Sequence, residues 1–354
     1  MQYDRDMIVQ YDLIGLSGIR SFRNAYTLFS LHSAAFEGKL AVCKQLISNG
    51  ANVNALGYYN VTPLHLAAYR GKLAACNQLI SNGANVNALT FENVTPLHLA
   101  AYRGKLAVCK QLISNGANVN ALDYDNVTPL HLAAYRGKLA VCKQLISNGA
   151  NVNALDYYNG TPLHPAAYRG KLAVCKQLIS NGANVNALDY DNVTPLHLAA
   201  YRGKLAVCKQ LISNGAKVNA SNCFNRTPLM LATNKKHVAV TEYLVENNAV
   251  VLKEFYVFGS QPLFGHKTEK DMYLSMLTWL VKQRTLEVAQ TRNWFWKLCS
   301  LAFKTTNTLK SICRNLIRTD DSHVQVGYNF EGFNIPEVLK NYLKFKEELQ
   351  ILFG

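Results

Sequence analysis

Histidine recurs at a fixed interval of 33 residues through most of the first two thirds of this chain. The series consists of His32, His65, His98, His131, His164 and His197. Imidazole is a common metal ligand, so a repeated histidine raises the question of a zinc site. Zinc requires its ligands about 2 Å from one ion, whereas equivalent atoms of stacked helices lie roughly 8–10 Å apart. We therefore expect each histidine to make structural hydrogen bonds, and we expect no metal or other cofactor.

Cysteine could form disulfide bonds, since the chain contains nine of these residues. Six of them recur at the same interval as the histidines: Cys43, Cys76, Cys109, Cys142, Cys175 and Cys208. Copies one interval apart exceed the Cα separation of about 7 Å that a disulfide tolerates. We expect these cysteines to be buried thiols of a reducing compartment.

The amino-terminal sequence MQYDRDMIVQYDLIGL does not read as a secretory signal, because Asp4, Asp6 and Asp12 interrupt any apolar core. The recurring N-x-T triplets are therefore expected to be turns rather than glycosylation sites. They begin at Asn60, Asn93, Asn126, Asn159, Asn192 and Asn225. The longest apolar-rich stretch near the C-terminus, MYLSMLTWLV, has about half of the ~20 residues that span a bilayer. We expect a soluble cytoplasmic protein without membrane contact, and a nuclear location is left open.

The recurring unit is VTPLHLAAYRGKLAVCKQLISNGANVNALDYDN, as residues 94–126 have it. In the next copy, Thr128 is typical of a helix N-cap and Pro129 of the first helical position. Gly137 is expected to break this first helix, and Gly149 to end a second one. The apolar stripe of the second helix is Leu139, Val141, Cys142, Leu145 and Ile146. The residues that follow should form an extended turn into the next copy.

These residues resemble the ankyrin repeat, which has a 33-residue period and a T-P-L-H-x-A pattern. TPLH begins at Thr62, Thr95, Thr128, Thr161 and Thr194, with the variants FSLH at Phe29 and TPLM at Thr227. The resemblance implies an all-α solenoid of helix pairs joined by hairpin-like turns, in which each pair buries the apolar face of its neighbour. Such arrays bind proteins, and nothing in the unit is typical of a catalyst.

One copy departs from the pattern. In TPLHPAAYRG, Pro165 replaces the usual leucine just inside the first helix. Proline removes one intrahelical hydrogen bond and crowds the preceding turn. We expect weaker protection of the backbone in this repeat than in the others.

Two sets of side chains are candidates for contact with a target protein. The first set lies in the turn tips, which read GYYN, TFEN, DYDN, DYYN and DYDN, and consists of Tyr58, Phe91, Tyr124, Tyr157 and Tyr190. The second set follows the Ala-Ala pair of each first helix, a position that the resemblance assigns to the concave face. It consists of Tyr69, Arg70, Tyr102, Arg103, Tyr135, Arg136, Tyr168, Arg169, Tyr201 and Arg202. Tyrosine and arginine are favoured anchors in protein interfaces.

The net charge of +15 is concentrated in the repeats. Residues 29–251 carry 20 lysines and arginines against 9 aspartates and glutamates, a net charge of +11. This charge favours an acidic partner. Alternatively, near-identical copies have simply multiplied one tolerated basic surface, and the sequence leaves both interpretations open.

The segment NTLKSICRNLIR, residues 307–318, lies outside the period and predicts a short amphipathic helix. Its apolar residues follow the spacing i, i+3, i+4, i+7, i+8 of one helix face: Leu309, Ile312, Cys313, Leu316 and Ile317. A helix this short is marginal alone and needs a surface to pack on. The segment resembles the BC box, the elongin-binding helix of the SOCS box, and ICRNLIR is close to the usual L-C-R-x-x-I-R.

Further along, FNIPEVLKNYLKF resembles the cullin box, usually written L-P-L-P-x-x-L-x-x-Y-L. The matching residues are Ile335, Pro336, Leu339, Tyr342 and Leu343. Asn334 departs from the pattern because it replaces the first proline, and Phe333 stands for the first leucine. The departure bears on which cullin is bound and not on the elongin contact.

Together the repeats and the two boxes resemble ankyrin repeat and SOCS box proteins. That resemblance implies a non-catalytic receptor, whose array binds a substrate and whose SOCS box recruits elongin C, elongin B, cullin-5 and a RING subunit. Carried over by residue, Leu309, Ile312, Cys313, Leu316 and Ile317 would bind elongin C, and Ile335, Pro336, Leu339, Tyr342 and Leu343 would face the cullin.

The implied domains are an N-terminal helical cap (1–28), seven repeats (29–259), a degenerate repeat or capping helices (260–303), the SOCS box (304–345) and a tail (346–354). Within the SOCS box, the BC box covers residues 308–317 and the cullin box residues 333–343.

Three other functions remain as alternatives. A plain ankyrin scaffold with a capped end would not bind elongin. An F-box-like ankyrin effector would recruit a different ligase adaptor, although the Leu-x-x-x-Cys spacing argues against it. Binding of nucleic acid by the basic array would weaken steeply with salt, but no known nucleic-acid motif supports it, and we expect no nucleic-acid partner.

Overall fold

The computed structural model describes residues 30–247 and 249. Within these residues the chain forms seven pairs of helices and no strand, which confirms the predicted all-helical array. The first helices of the pairs are α1 (Leu31–Glu37), α3 (Pro63–Arg70), α5 (Pro96–Arg103), α7 (Pro129–Arg136), α9 (Leu163–Tyr168), α11 (Pro195–Tyr201) and α13 (Pro228–Asn234). The second helices are α2 (Leu40–Ser48), α4 (Leu73–Ser81), α6 (Leu106–Ser114), α8 (Leu139–Ser147), α10 (Leu172–Ser180), α12 (Leu205–Ser213) and α14 (Val238–Glu246). The predicted domains at 1–28, 260–303, 304–345 and 346–354 lie outside the described residues.

Threonine and histidine together close the first turn of the regular first helices. In α7 the backbone N–H of His131 donates to Thr128 Oγ1 at 3.4 Å, and the backbone N–H of Thr128 donates to His131 Nδ1 at 3.2 Å. These two bonds form a capping box in which histidine takes the place that glutamate or glutamine usually has. Pro129 lies at the first helical position, and Gly137 ends the helix at a φ of +70°. The predicted cap and break residues are confirmed.

The second helices pack through the middle of the predicted stripe. In α8, Val141, Cys142 and Leu145 are fully buried, whereas Leu139 and Ile146 are half-buried. Asn148 follows the helix, and Gly149 has a φ of +84°. An L-residue rarely adopts this φ, so glycine is needed there.

The recurring histidine also bonds each repeat to the next one. His65 and His98 donate from Nε2 to the carbonyl oxygens of Val94 and Val127, at 2.9 and 3.0 Å. Nδ1 accepts the threonine N–H, so Nε2 is the nitrogen that carries the proton. Burial lowers the pKa of both rings to about 4, and they are neutral at pH 7. The same bridge recurs from His32, His131, His164 and His197. The predicted structural role of the histidines is confirmed.

Asparagine supplies a second bridge at the surface. Asn120 Nδ2 donates to the carbonyl oxygen of Gly149 at 2.9 Å, and Asn120 Oδ1 accepts from the backbone N–H of Asn151 at 2.8 Å. The same pair of bonds recurs from Asn54, Asn87, Asn153 and Asn186. Each of these junctions is therefore bonded twice, by a buried histidine and by an exposed asparagine.

The junction between the fourth and fifth repeats, around Pro165, differs from the others; we call it the proline junction. Helix α9 begins at Leu163, one residue later than the equivalent helices. The later start places Pro165 in the first turn, where a missing N–H needs no intrahelical partner. Pro165 nevertheless lacks one hydrogen bond that the equivalent residue of the next repeat makes. There, the N–H of Leu198 donates to the carbonyl of Thr194 at 3.3 Å. The predicted loss of one hydrogen bond is confirmed.

Candidate functional site

The backbone conformation of a turn tip depends on its first and last residues, as the tip of residues 123–126 illustrates. In the tip of residues 123–126, Asp123 Oδ1 accepts from the backbone N–H groups of Asp125 at 3.0 Å and Val127 at 2.8 Å. Asn126 adopts a φ of +58°, a conformation that asparagine tolerates better than most residues. Because both ends are fixed, Tyr124 projects from the tip. The predicted role of the N-x-T asparagines as turn residues is confirmed.

Backbone hydrogen bonds join neighbouring tips into a row. The N–H of Tyr124 donates to the carbonyl of Glu92 at 3.0 Å, and the N–H of Tyr157 to that of Asp125 at 2.8 Å. The five predicted tip aromatics are 55–77% exposed: Tyr58, Phe91, Tyr124, Tyr157 and Tyr190. In the sixth tip Cys223 stands at the equivalent position, and Phe224, one residue later, is exposed. The row is therefore a rigid, exposed series of aromatic rings.

A leucine two residues before each tip aromatic is exposed as well, and the sequence analysis missed it. These leucines are 49–66% exposed: Leu56, Leu89, Leu122, Leu155 and Leu188. In an extended segment, residues i and i+2 share one face. The alternation Leu-x-Tyr could therefore have revealed the leucines. We call the leucines and the tip aromatics together the apolar ridge.

The structure places the tyrosines of the Tyr-Arg pairs inside the array. Tyr102, Tyr135, Tyr168 and Tyr201 are at most 8% exposed, and Tyr69 is half-buried. Tyr102 packs with Val127, Leu132 and Tyr135 of the following repeat. The rings that were candidate anchors are thus packed against neighbouring repeats.

The arginines of the same pairs lie over those rings. The guanidinium carbon of Arg136 is 4.8 Å from the ring centroid of Tyr102, one repeat earlier. The arginine row consists of Arg70 over Phe36, Arg103 over Tyr69, Arg136 over Tyr102, Arg169 over Tyr135 and Arg202 over Tyr168, with Lys235 continuing it over Tyr201. All six cations lie 4.7–4.8 Å from the ring centroid. Each pair is a cation–π contact between repeats.

A row of lysines runs beside the arginines, two residues further along each repeat. The stem of Lys105 crosses Gly71 of the preceding repeat so closely that a Cβ on Gly71 would lie 2.5 Å from Lys105 Cδ. Gly71 also has a φ of +76°. The lysine row consists of Lys72, Lys105, Lys138, Lys171 and Lys204, each crossing the glycine of the preceding repeat. We call the two together the cationic rows.

These features can be compared with known proteins. A family model described as "Ankyrin repeats (3 copies)" matches residues 31–123, 97–189 and 163–254. The chain belongs to the ankyrin-repeat family. Among solved structures, the ankyrin repeat domain of human ASB11 is similar, with a TM-score of 0.58 and 32% sequence identity. That match covers 63% of this chain and 99% of the solved domain. No curated protein matches the chain at a significant level.

The thiols of the ankyrin array are buried and unpaired with one another. Burial raises the pKa of Cys76, Cys109, Cys142, Cys175 and Cys208 to about 12. They are free cysteines, as predicted for this series, whereas Cys223 is free and exposed at the sixth tip. A thiol with so high a pKa is a poor nucleophile at pH 7.

The described part of the ankyrin array has neither a candidate metal site nor a candidate membrane span. Among residues 30–247 and 249, no group of three or more His, Cys, Asp or Glu side chains could hold a metal ion. None of the described helices is both long and apolar enough to span a bilayer. The predicted elongin-binding residues (309, 312, 313, 316, 317) and cullin-binding residues (335, 336, 339, 342, 343) lie outside the described residues.

Proposed function

We propose that this ankyrin-repeat protein is a substrate receptor of an elongin–cullin ubiquitin ligase. Its array binds the target protein, and residues 304–345 recruit elongin C, elongin B, a cullin and a RING subunit. The protein itself catalyses nothing and acts in the cytoplasm. The observation that carries the ligase half is the order of two motifs at the C-terminal end, ICRNLIR followed by FNIPEVLKNYLKF.

The array half of the proposal is supported by family membership and by the likeness to the ankyrin domain of human ASB11. The exposed Leu and Tyr side chains of the apolar ridge, together with the Arg side chains of the cationic rows, offer the residue types on which protein interfaces depend. Because the tips are bonded to one another, the ridge loses little conformational freedom when a partner binds.

In the tail, Leu309 and Cys313 contact elongin C, and Ile312, Leu316 and Ile317 complete that contact or the core of the SOCS box. Ile335, Pro336, Leu339, Tyr342 and Leu343 face the cullin. Binding both proteins at once raises the local concentration of substrate lysines near the ubiquitin carrier, which is the whole contribution of such a receptor.

The test is co-expression of the full-length chain with elongin B and elongin C, followed by size-exclusion chromatography. We expect a stable ternary complex for the natural sequence. The double substitution Leu309→Ala, Cys313→Asp should abolish it, because a charge would enter an apolar contact. The matched control is Lys310→Ala, since the helical spacing places Lys310 on another face of the same segment.

The helical circular dichroism of both variants shows whether the array is intact. A natural chain that is folded but binds neither elongin would overturn the ligase half. The protein would then be a plain ankyrin scaffold, and the array half would stand unchanged.

A further inference from the structure

The charges of the array are segregated, and the cationic rows contain most of the positive ones. Eleven of the 20 lysines and arginines in residues 29–251 belong to the rows. Between residues 62 and 226, all six aspartates and glutamates lie in the turn tips. In the first repeat, Glu37 and Lys39 occupy the equivalent positions and form an ion pair with each other. From the second repeat to the sixth, the rows are therefore a strip of positive charge with no acidic residue at the row positions.

Both rows lie at one edge of the array. Each arginine ends or follows the first helix of its repeat, one glycine comes next, and the lysine precedes the second helix, as Arg136, Gly137 and Lys138 do. Repetition carries this edge through five consecutive repeats. Since stacked helices lie roughly 8–10 Å apart, the strip presents one arginine and one lysine about every 10 Å.

The arginines are held in place before any partner binds. The ring of the preceding repeat covers one face of each guanidinium group at 4.7–4.8 Å. A stacked guanidinium still has its N–H groups in the plane at its edge, where a carboxylate accepts two of them in parallel. Arg70 and Arg202 are exposed and the other three are half-buried, with Arg103 Nε itself buried, so each arginine is at least partly open to a partner. Fixed side chains lose less entropy on binding than free ones.

The spacing favours one shape of partner. A peptide in the polyproline II conformation advances about 3.1 Å per residue with three residues per turn, so every third side chain lies on the same face and recurs at about 9 Å. A single nucleic-acid strand has a charge about every 3.4 Å and gains much of its affinity from bases stacked on exposed aromatic rings. In the rows the rings are buried or already covered by arginine, as Tyr102 and Tyr135 are. A carboxylate-bearing protein segment therefore fits better than a nucleic acid.

We propose that the cationic rows bind an acidic segment of the target protein in the extended polyproline II conformation, with Asp or Glu at about every third position. The segment lies across consecutive repeats and pairs one carboxylate with the arginine and lysine of each. This inference rests on the array half of the proposed function and is independent of the elongin contact.

Fluorescence anisotropy on the full-length protein tests the proposal with two synthetic peptides of about 15 residues, a length that spans five repeats in extended form. Both peptides contain the same number of glutamates, placed at every third position in one and clustered in the other. We expect the evenly spaced peptide to bind about tenfold more tightly, because only its carboxylates match the repeats. Equal affinity of the two peptides would overturn the proposal, and so would tighter binding of a single-stranded oligonucleotide.

Matched variants separate the rows from the general charge of the array. Arg103→Gln, Arg136→Gln and Arg169→Gln together remove three charges from the arginine row. Lys110→Gln, Lys143→Gln and Lys176→Gln remove the same charge from exposed positions on the second helices of the same repeats. We expect the first set to weaken the evenly spaced peptide about tenfold or more, and the second about twofold or less. Similar losses from the two sets would show only general charge attraction and overturn the proposal.

A second substitution covers the case in which the arginine-to-glutamine set does not fold. Arg→Lys at the same three positions keeps the charge and the stacking but removes the paired N–H edge, and we expect an intermediate loss of affinity. Co-purification with elongin B and elongin C is measured on the same variants and should not change. Loss of peptide binding and loss of elongin binding therefore report on the two proposals separately.

Discussion

The proline junction and the regular junction that follows it connect repeats of almost the same sequence. His131 and His164 make equivalent bonds across the two junctions, to the carbonyls of Gly160 and Val193 at 3.1 Å each. The surface asparagine bridges are also present at both, from Asn153 at the proline junction and from Asn186 at the next one. The two junctions differ in their apolar packing. At the regular junction, Val193 and Leu198 belong to an apolar cluster. At the proline junction, Gly160 and Pro165 occupy the equivalent positions.

This contrast teaches which interactions fix the geometry of a junction and which ones add stability. The hydrogen bonds survive the exchange of two core residues, so the spacing between repeats does not depend on those side chains. The apolar contacts are lost, and the first helix shortens to six residues. We infer that the histidine and asparagine bonds set the geometry, whereas the valine and leucine supply much of the stabilising free energy.

The largest expected effect is unfolding in acid, which should act on the proline junction and the regular junctions alike. The pKa of His65, His98, His131, His164 and His197 is lowered by burial to about 4. The unfolded chain, with a histidine pKa near 6.5, therefore binds more protons than the folded array at any pH below about 6.5, and stability falls as the pH drops from there towards 4. Each histidine contributes up to about 3 kcal/mol, and five together reach the upper end of the roughly 5–15 kcal/mol by which a typical domain is stable.

We therefore expect both kinds of junction to unfold together above pH 4, measured by circular dichroism against pH. Asp123 and Asp125 act in the opposite direction, because burial raises the pKa of both carboxyl groups, that of Asp123 to about 7, and they offset part of this loss of stability. A urea midpoint that is the same at pH 7.5 and pH 5 would contradict the expectation.

The next largest effect comes from making a second proline junction. Val193→Gly together with Leu198→Pro reproduces the residues of the proline junction one repeat further on. Both side chains are buried, so we expect the free energy of unfolding in urea to fall by about 4 kcal/mol. Leu188→Ala, at an exposed position of the apolar ridge in the same repeat, is the control and should change stability little.

The reverse exchange should strengthen the proline junction. Gly160→Val with Pro165→Leu restores the apolar pair and one backbone hydrogen bond, and we expect a gain of about 2 kcal/mol. The gain is smaller than the loss above because the native chain has already shifted the start of α9 to accommodate the proline. No gain in the urea midpoint would mean that the junction is no weaker than its neighbours.

Hydrogen exchange measures the same difference locally, without substitution. We expect the amides of α9 to exchange about tenfold faster than those of α7 and α11. Mass spectrometry can resolve this, because the peptide LHPAAY is unique in the chain whereas LHLAAY peptides report the average of the other repeats. Equal exchange of the two peptides would refute the predicted weakness.

The smallest expected effect on stability comes from substitutions in the turn tips, and it should be equal at the two kinds of junction. Asn126 and Asn159 have φ angles of +58° and +59°, which alanine adopts only with strain. Each Asn→Ala substitution should cost about 1 kcal/mol, and Asn→Gly should cost less. A clear difference between the two positions in urea unfolding would show that the tips, too, differ between the junctions.

Residues with a local function could be predicted from the sequence. Thr128, Pro129 and Gly137 follow rules of capping that concern a single helix, and each lies where the rules place it. Pro165 likewise acts on its own helix. The histidines were predictable as hydrogen-bonding residues, although their bond to the next repeat could be seen only in the structure.

The Tyr-Arg pairs could not be placed from sequence alone. Tyr102 and Arg103 are adjacent, and both are common in interfaces, so composition does not say which one projects. The answer depends on the following repeat, because Leu132 packs on the tyrosine and Arg136 covers its ring. Such contacts between repeats have no signal within one copy of the unit.

The lysine of each repeat crosses the glycine of the repeat before it. This contact bears on how the number of repeats can change in evolution. A unit such as residues 94–126 has both halves of every junction, since Gly104 and the histidine bridge contact the following unit and Lys105 covers the preceding one. A duplicated or deleted unit would therefore meet only surfaces that already fit. The run ends where His237 replaces the lysine over Gly203. Within the run, folding sets no copy number, and recombination can lengthen or shorten the array without creating a new interface.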